Sequence, residues 1–118
     1  MPRHAQTWVK VNAQVDHGVV PLIEALNSIP GLRTMESCET DGEEAWVCFD
    51  AGTQNWSKLA EIVFGWIGPR LADAFGDSVG LEMKLCNGIV IAEMTVNKSM
   101  ISAVSQAIRE IAAQSRAA

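Results

Sequence analysis

Six side chains with chemical capacity fall within one stretch, residues 15–49: Asp16, His17, Ser37, Cys38, Glu39 and Asp41. A carboxylate beside an imidazole tunes a proton donor. A thiol beside a hydroxyl serves as a nucleophile or as a ligand contact. Cys38, Asp16 and His17 together have the composition of a nucleophile–base set, and they are the catalytic candidates. Each also has a structural reading. Asp16 reads as a helix N-cap, because a carboxylate there accepts from free backbone N–H groups. His17 reads as a solvated turn residue. Cys38 reads as a small half-buried strand residue. Its flanking Glu36 and Glu39 oppose the thiolate, whereas a reactive cysteine needs a nearby cation or helix N-terminus. Asn27 either bonds backbone at a helix end or reaches the Ser37-Cys38 segment.

Metal and nucleotide motifs are absent from the sequence. Glu39, Asp41, Glu43 and Glu44 lack the EF-hand spacing. The three cysteines (Cys38, Cys48, Cys86) and two histidines lack close metal-ligand spacing, so no metal is expected. There is no P-loop and no dinucleotide fingerprint.

The elements that position these groups follow from periodicity. Residues 7–15 alternate, with Val9, Val11, Ala13 and Val15 on one face and Trp8, Lys10, Asn12 and Gln14 on the other, as a half-buried strand does. Residues 16–19 form a lead-in turn. Pro21 suits a first helical turn, and Leu22, Ile23, Leu26 and Ile29 make one apolar stripe. Ile29-Pro30-Gly31 stops that helix. Residues 32–38 are a strand, Asp41-Gly42 a hairpin turn, and 45–50 the returning strand, with Val47 and Phe49 opposite Trp46, Cys48 and Asp50. A second helix, capped by Thr53 or Asn55, takes Trp56, Leu59, Ala60, Val63 and Ile67 as its core stripe, and Ile62, Phe64 and Trp66 widen the apolar arc. Gly68-Pro69 breaks or kinks it. In 79–85, Val79, Leu81, Met83 and Leu85 point inward and Glu82 and Lys84 outward. Asn87-Gly88 demands a type I′ turn, and 89–96 return as the last strand. Asn97 caps a final helix whose inner face is Ile101, Val104, Ile108, Ile111 and Ala112.

The expected fold is a single α+β domain, 1–118. It is a mostly antiparallel five-stranded sheet with helices packed mainly on one face, in the order β-α-β-β-α-β-β-α. The other sheet face then carries Trp8, Lys10, Asn12, Trp46, Glu82 and Lys84. Such a face is a ligand platform, a dimer interface, or a surface covered by a further segment.

The string V-D-x-G-V-x-P-L-I-E-A-L-N-x-x-P-G-x-x-T-x-x-S-C over residues 15–38 resembles the N-terminal part of the wybutosine-synthesising tRNA methyltransferase family. Asp16, Pro21, Leu22, Asn27, Thr34, Ser37 and Cys38 stand at matching positions, and the ordered match reaches about residue 49. After Cys38 the chain reads Glu39-Thr40-Asp41, where the family has Ser-Gly-Arg. The resemblance implies a related fold and, as cofactor, S-adenosylmethionine acting on a nucleobase.

Bulk properties narrow the rest. The chain has 118 residues, 48% hydrophobic and 19% charged, with net charge −5. A chain of this size buries about two thirds of its unfolded surface and needs no disulfide or metal to fold. The acidic balance disfavours broad nucleic-acid or anionic-membrane binding. Widely spaced cysteines in odd number read as reduced thiols, and no apolar run suits a membrane span, so a cytoplasmic location is expected. The leading expectation is a small ligand-binding domain. Its pocket lies between the 16–19 turn and the end of the 32–38 strand, with Asp16, Asn27, Ser37, Cys38 and Glu39 as ligand contacts. The alternatives are an S-adenosylmethionine-dependent methyltransferase relative, and a homodimeric interaction module using Trp8 and Trp46 or the helix face around Trp66.

Overall fold

The structure is a computed structural model that describes residues 6–8, 14–39, 42–52 and 55–117, with backbone alone for 6–8, 14–17, 38–39 and 115–117. The elements run β1 (Gln6–Trp8), β2 (Gln14–Asp16), a 3₁₀ turn (His17–Val19), α1 (Val20–Asn27), β3 (Arg33–Glu39), β4 (Glu44–Asp50), α2 (Trp56–Ile62), a π-helical turn (Val63–Ile67), α3 (Gly68–Phe75), β5 (Val79–Cys86), β6 (Ile89–Asn97) and α4 (Ile101–Ala117). The expected residues at 9–13, Asp41 and Thr53 lie outside the description.

The main sheet is antiparallel in the order β3-β4-β6-β5, four strands and not the five expected. The first strand is absent from it. Gln6–Trp8 instead pairs with Gln14–Asp16 as a separate antiparallel ladder. Period-two alternation identifies extended chain but not its partner, and the described ends of this run pair with each other. β2 then lies beside β3.

The helices cover one face. The core joins Leu22, Ile23 and Leu26 of α1, Leu59 and Ile62 of α2, Leu71 of α3 and Val104 and Ile108 of α4 to Val47, Phe49, Ala92, Met94 and Val96 of the sheet. Phe49, Met94 and Ile108 are fully buried, each burial contributing roughly 1.5–3 kcal/mol. The apolar stripes of α1 and α4 are those the sequence dictates. Two other expectations are corrected. Trp56 is 59% exposed and Leu85 is 74% exposed. Trp56 begins its helix, ahead of the turn that reaches the core. Leu85 sits at the tip of a hairpin that outruns the helix layer. Asp16 does not cap α1, because the 3₁₀ turn intervenes and the cap position falls on Val19.

Gly68-Pro69 ends the regular winding of the second helix, and Pro69 opens a further piece, α3, that runs to Phe75. Pro69 has no N–H to give to the carbonyl one turn back, and its ring crowds that carbonyl. The chain absorbs this by widening into a π turn, in which the Gly68 N–H donates to the Val63 carbonyl five residues earlier. α2, the π turn and α3 therefore form one continuous rod. A Cβ on Gly68 would overlap the Val63 carbonyl oxygen. Gly68→Ala is expected to destabilise the fold by about 1–3 kcal/mol, read as a lower urea midpoint. An unchanged midpoint would show that the π turn relaxes freely.

Candidate functional site

The chain positions a cleft on the sheet face that the helices leave open. Its first wall is made by an irregularity in β3. The β3–β4 ladder pairs Thr34 with Phe49 and then Ser37 with Val47, so Met35 and Glu36 together stand opposite Cys48. This is a β-bulge, which re-aims side chains that strict alternation would send to opposite faces. Both Met35 and Glu36 line the cleft.

Two interactions hold the strand on the N-terminal side of the bulge. The Asn27 amide oxygen accepts from the Thr34 N–H at 3.0 Å, and its nitrogen donates to Thr34 Oγ1 at 3.1 Å. The Arg33 guanidinium pairs with Asp50 through two bonds, Nε to Oδ1 at 2.8 Å and Nη2 to Oδ2 at 3.3 Å. Asp50 Oδ1 also accepts from the Gly52 N–H at 3.1 Å. Burial pushes the Asp50 carboxyl upward, but the Arg33 hydrogen bonds, the Gly52 N–H and the Arg33 charge outweigh it and hold the pKa below the usual carboxylate value.

The remaining walls come from β4, β5 and β6. The cleft has a volume of about 220 Å³ and is lined further by Trp46, Cys48, Lys84, Ile89, Ile91 and Glu93. Register explains the set. Cys48 pairs with Glu93 across β4–β6, and Lys84 pairs with Ile91 across β5–β6. Glu93 is the hub: its Oε1 accepts from Lys84 Nζ at 3.2 Å and from the Cys48 thiol at 3.7 Å. Burial and the neighbouring Glu93 charge push the Cys48 thiol up to about 11. The hydrogen bond to Glu93 raises the Lys84 ammonium above its ordinary value. The thiol is therefore neutral and the ammonium charged at neutral pH. Both groups are then hydrogen-bond donors to Glu93.

The sequence candidates fall partly beside this cleft. Cys38 stands opposite Trp46 in the β3–β4 ladder, with Glu39 opposite Ala45. Asp16 ends β2, and the turn beginning at His17 packs against β3 and β4. The backbone thus brings the 16–19 turn close to β3, while the side chains of Asp16, His17, Cys38 and Glu39 lie outside the description. Asn27 is committed to Thr34 through both ends of its amide. Ser37 is paired with core-facing Val47, and its buried hydroxyl makes no hydrogen bond among the described residues. Trp46, Cys48 and Lys84 were readable as outward strand positions. Met35 and Glu36 were not, because a bulge carries no local sequence signal here. Glu93 was not singled out, although its alternation with Ile91 places it on the same face. Among the described residues no cluster of acidic, cysteine or histidine side chains forms a metal site.

Comparison of the chain with protein-family models, curated proteins and solved structures gives no match.

Two measurements follow from this geometry. Ser37→Ala removes a buried hydroxyl that has no partner among the described residues, so it is expected to leave the melting temperature unchanged or raised; a clear drop would reveal a partner for Ser37. Cys48 should resist alkylation near neutral pH while exposed Cys86 reacts. Its raised folded pKa contributes stability that is full below the ordinary thiol value of about 8.5. That contribution is lost as pH climbs towards about 11. Cys48→Ala should flatten the loss, and an identical alkaline profile in the variant would refute the assignment.

Proposed function

We propose that this chain is a small-molecule binding domain whose site is the cleft on the open sheet face, lined from β3 across to the β5–β6 turn. The observation that supports it is the combination of half-buried Trp46 with the Lys84–Glu93 ion pair in one cavity. An aromatic wall takes a planar or cationic group. The ammonium and the carboxylate beside it supply one donor and one acceptor at fixed positions. Trp46, which lines the cavity, stands opposite Cys38 in the β3–β4 ladder.

Size and charge define the ligand class. A volume of about 220 Å³ lies below the ~300–1,000 Å³ of pockets for drug-sized molecules. It suits a single base or aromatic amine rather than a whole adenosyl cofactor. Glu36 and Glu93 against Lys84 leave the lining net negative, which favours neutral or cationic ligands over phosphates. Binding is the reading these fixed charge states favour. Acid–base or thiolate catalysis needs groups poised near neutrality.

The test is a thermal-shift and tryptophan-fluorescence titration with nucleosides, their monophosphates, tryptamine and S-adenosylmethionine. The expected result is a saturable shift with nucleosides or tryptamine, weaker with monophosphates and lost in both Trp46→Ala and Glu93→Gln. Ligand that binds only the native state must raise stability in this way. No saturable change at millimolar ligand would sink the proposal. A response to S-adenosylmethionine alone would favour the methyltransferase reading instead.

A further inference from the structure

We propose that a second copy of this chain pairs with the outer edge of β5, antiparallel and centred on Met83, so that two sheets join into one. The edge needs no ligand in the cleft to pair, although Lys84 belongs to both.

The two edges of the sheet differ. β3 has β2 beside it, whereas no described segment pairs with the outer side of β5. β5 is also long and regular, with Val79 to Cys86 in unbroken register against β6. Such an edge is a template for another strand unless something blunts it. It contains no proline and no bulge. Its charges, Glu82 and Lys84, are of opposite sign and two residues apart on one face.

The geometry selects one register. Asn87 and Gly88 both have positive φ, 51° and 84°, so the hairpin closes with a type I′ turn and Cys86–Ile89 is its first hydrogen-bonded pair. Alternation along the ladder then turns the N–H and C=O groups of Lys84, Glu82 and Gly80 towards β6. Those of Val79, Leu81, Met83 and Leu85 face outward. A symmetric partner must match these outward residues with its own. Centring the two-fold on Glu82 opposes two glutamates, and centring it on Lys84 opposes two lysines. Like charges directly opposite are destabilising. Centring it on Met83 places Glu82 opposite the partner's Lys84, and Lys84 opposite the partner's Glu82. Glu82 lacks an ion pair of its own among the described residues, and within the subunit it faces Glu93 across the ladder. The partner's Lys84, paired with its own Glu93 at 3.2 Å, places a cation opposite Glu82 on that face.

The same register solves a problem on the other face. Leu85 is 74% exposed, an unusual position for a leucine at the end of an inward-facing row. Centring on Met83 sets the partner's Leu85 opposite Leu81. Leu81 lines an apolar cleft of about 290 Å³ with Val63, Phe64, Leu71 and Val79, between the π turn and β5. Phe64, 56% exposed, stands at that cleft. The exposed leucine of each copy thus meets the open apolar cleft of the other, twice by symmetry. Charge picks the alignment, and the apolar face is satisfied in it.

The experiment is sedimentation equilibrium on the full chain, with circular dichroism to confirm that each variant folds. The wild type is expected to approach twice its 12.8 kDa mass at concentrations up to roughly 1 mM. Glu82→Lys alone opposes two lysines and Lys84→Glu alone opposes two glutamates. Each is expected to weaken association by about tenfold or more. Mixing these two variants, or combining them in one chain, restores opposite charges at both contacts and is expected to restore the dimer. Leu85→Asp is expected to abolish it. A monomeric wild type at that concentration would overturn the proposal. So would a dimer that both charge variants leave intact, or one that neither the mixture nor the double variant recovers.

Discussion

The amide of Asn27 fixes the point from which the open face is built. It sits at the last residue of α1 and grips Thr34 through backbone and hydroxyl together. Thr34 is the last residue of β3 in the first register. Everything beyond it is displaced by one position. Because side chains alternate with period two, a displacement of one decides which face each later residue occupies. The bulge lets β3 send Met35 and Glu36 to the cleft and still return Ser37 to the core side. Arg33 and Asp50 tie the neighbouring rung, so the strand cannot slide to erase the irregularity without breaking a two-point ion pair.

Much of this fold was legible in the residues. The stripes Leu22-Ile23-Leu26 and Ile101-Val104-Ile108 name their buried faces, and Asn87-Gly88 names its turn, because local sterics and 3.6-residue periodicity act within a few residues. What remained hidden depends on partners distant in sequence. Whether 7–15 joins the main sheet is a pairing choice that alternation does not encode. The π turn at Val63–Ile67 is the response of a packed helix to Pro69, and the sequence shows only the proline. The site was half legible. Trp46, Cys48 and Lys84 read as outward residues of separate strands, but their convergence on Glu93 required the β4-β6-β5 order. The chemically conspicuous Asn27 proved to be a structural clamp.

The cleft is electrostatically settled. Its thiol is held protonated by burial and by Glu93, while its ammonium is held charged by the same carboxylate. One acceptor thus quiets two groups that could otherwise exchange protons.

The π turn has a consequence for how this chain tolerates changes of length. A π turn holds one more residue than an α-helix spanning the same rise. The rod from Trp56 to Phe75 therefore carries a surplus residue, stored at Val63–Ile67. A relative lacking one residue there, with the proline also replaced, closes into regular α-helix with its two ends unmoved. A one-residue deletion at this point is absorbed inside the helix. The strands that follow, and the rows of side chains they present, keep their register.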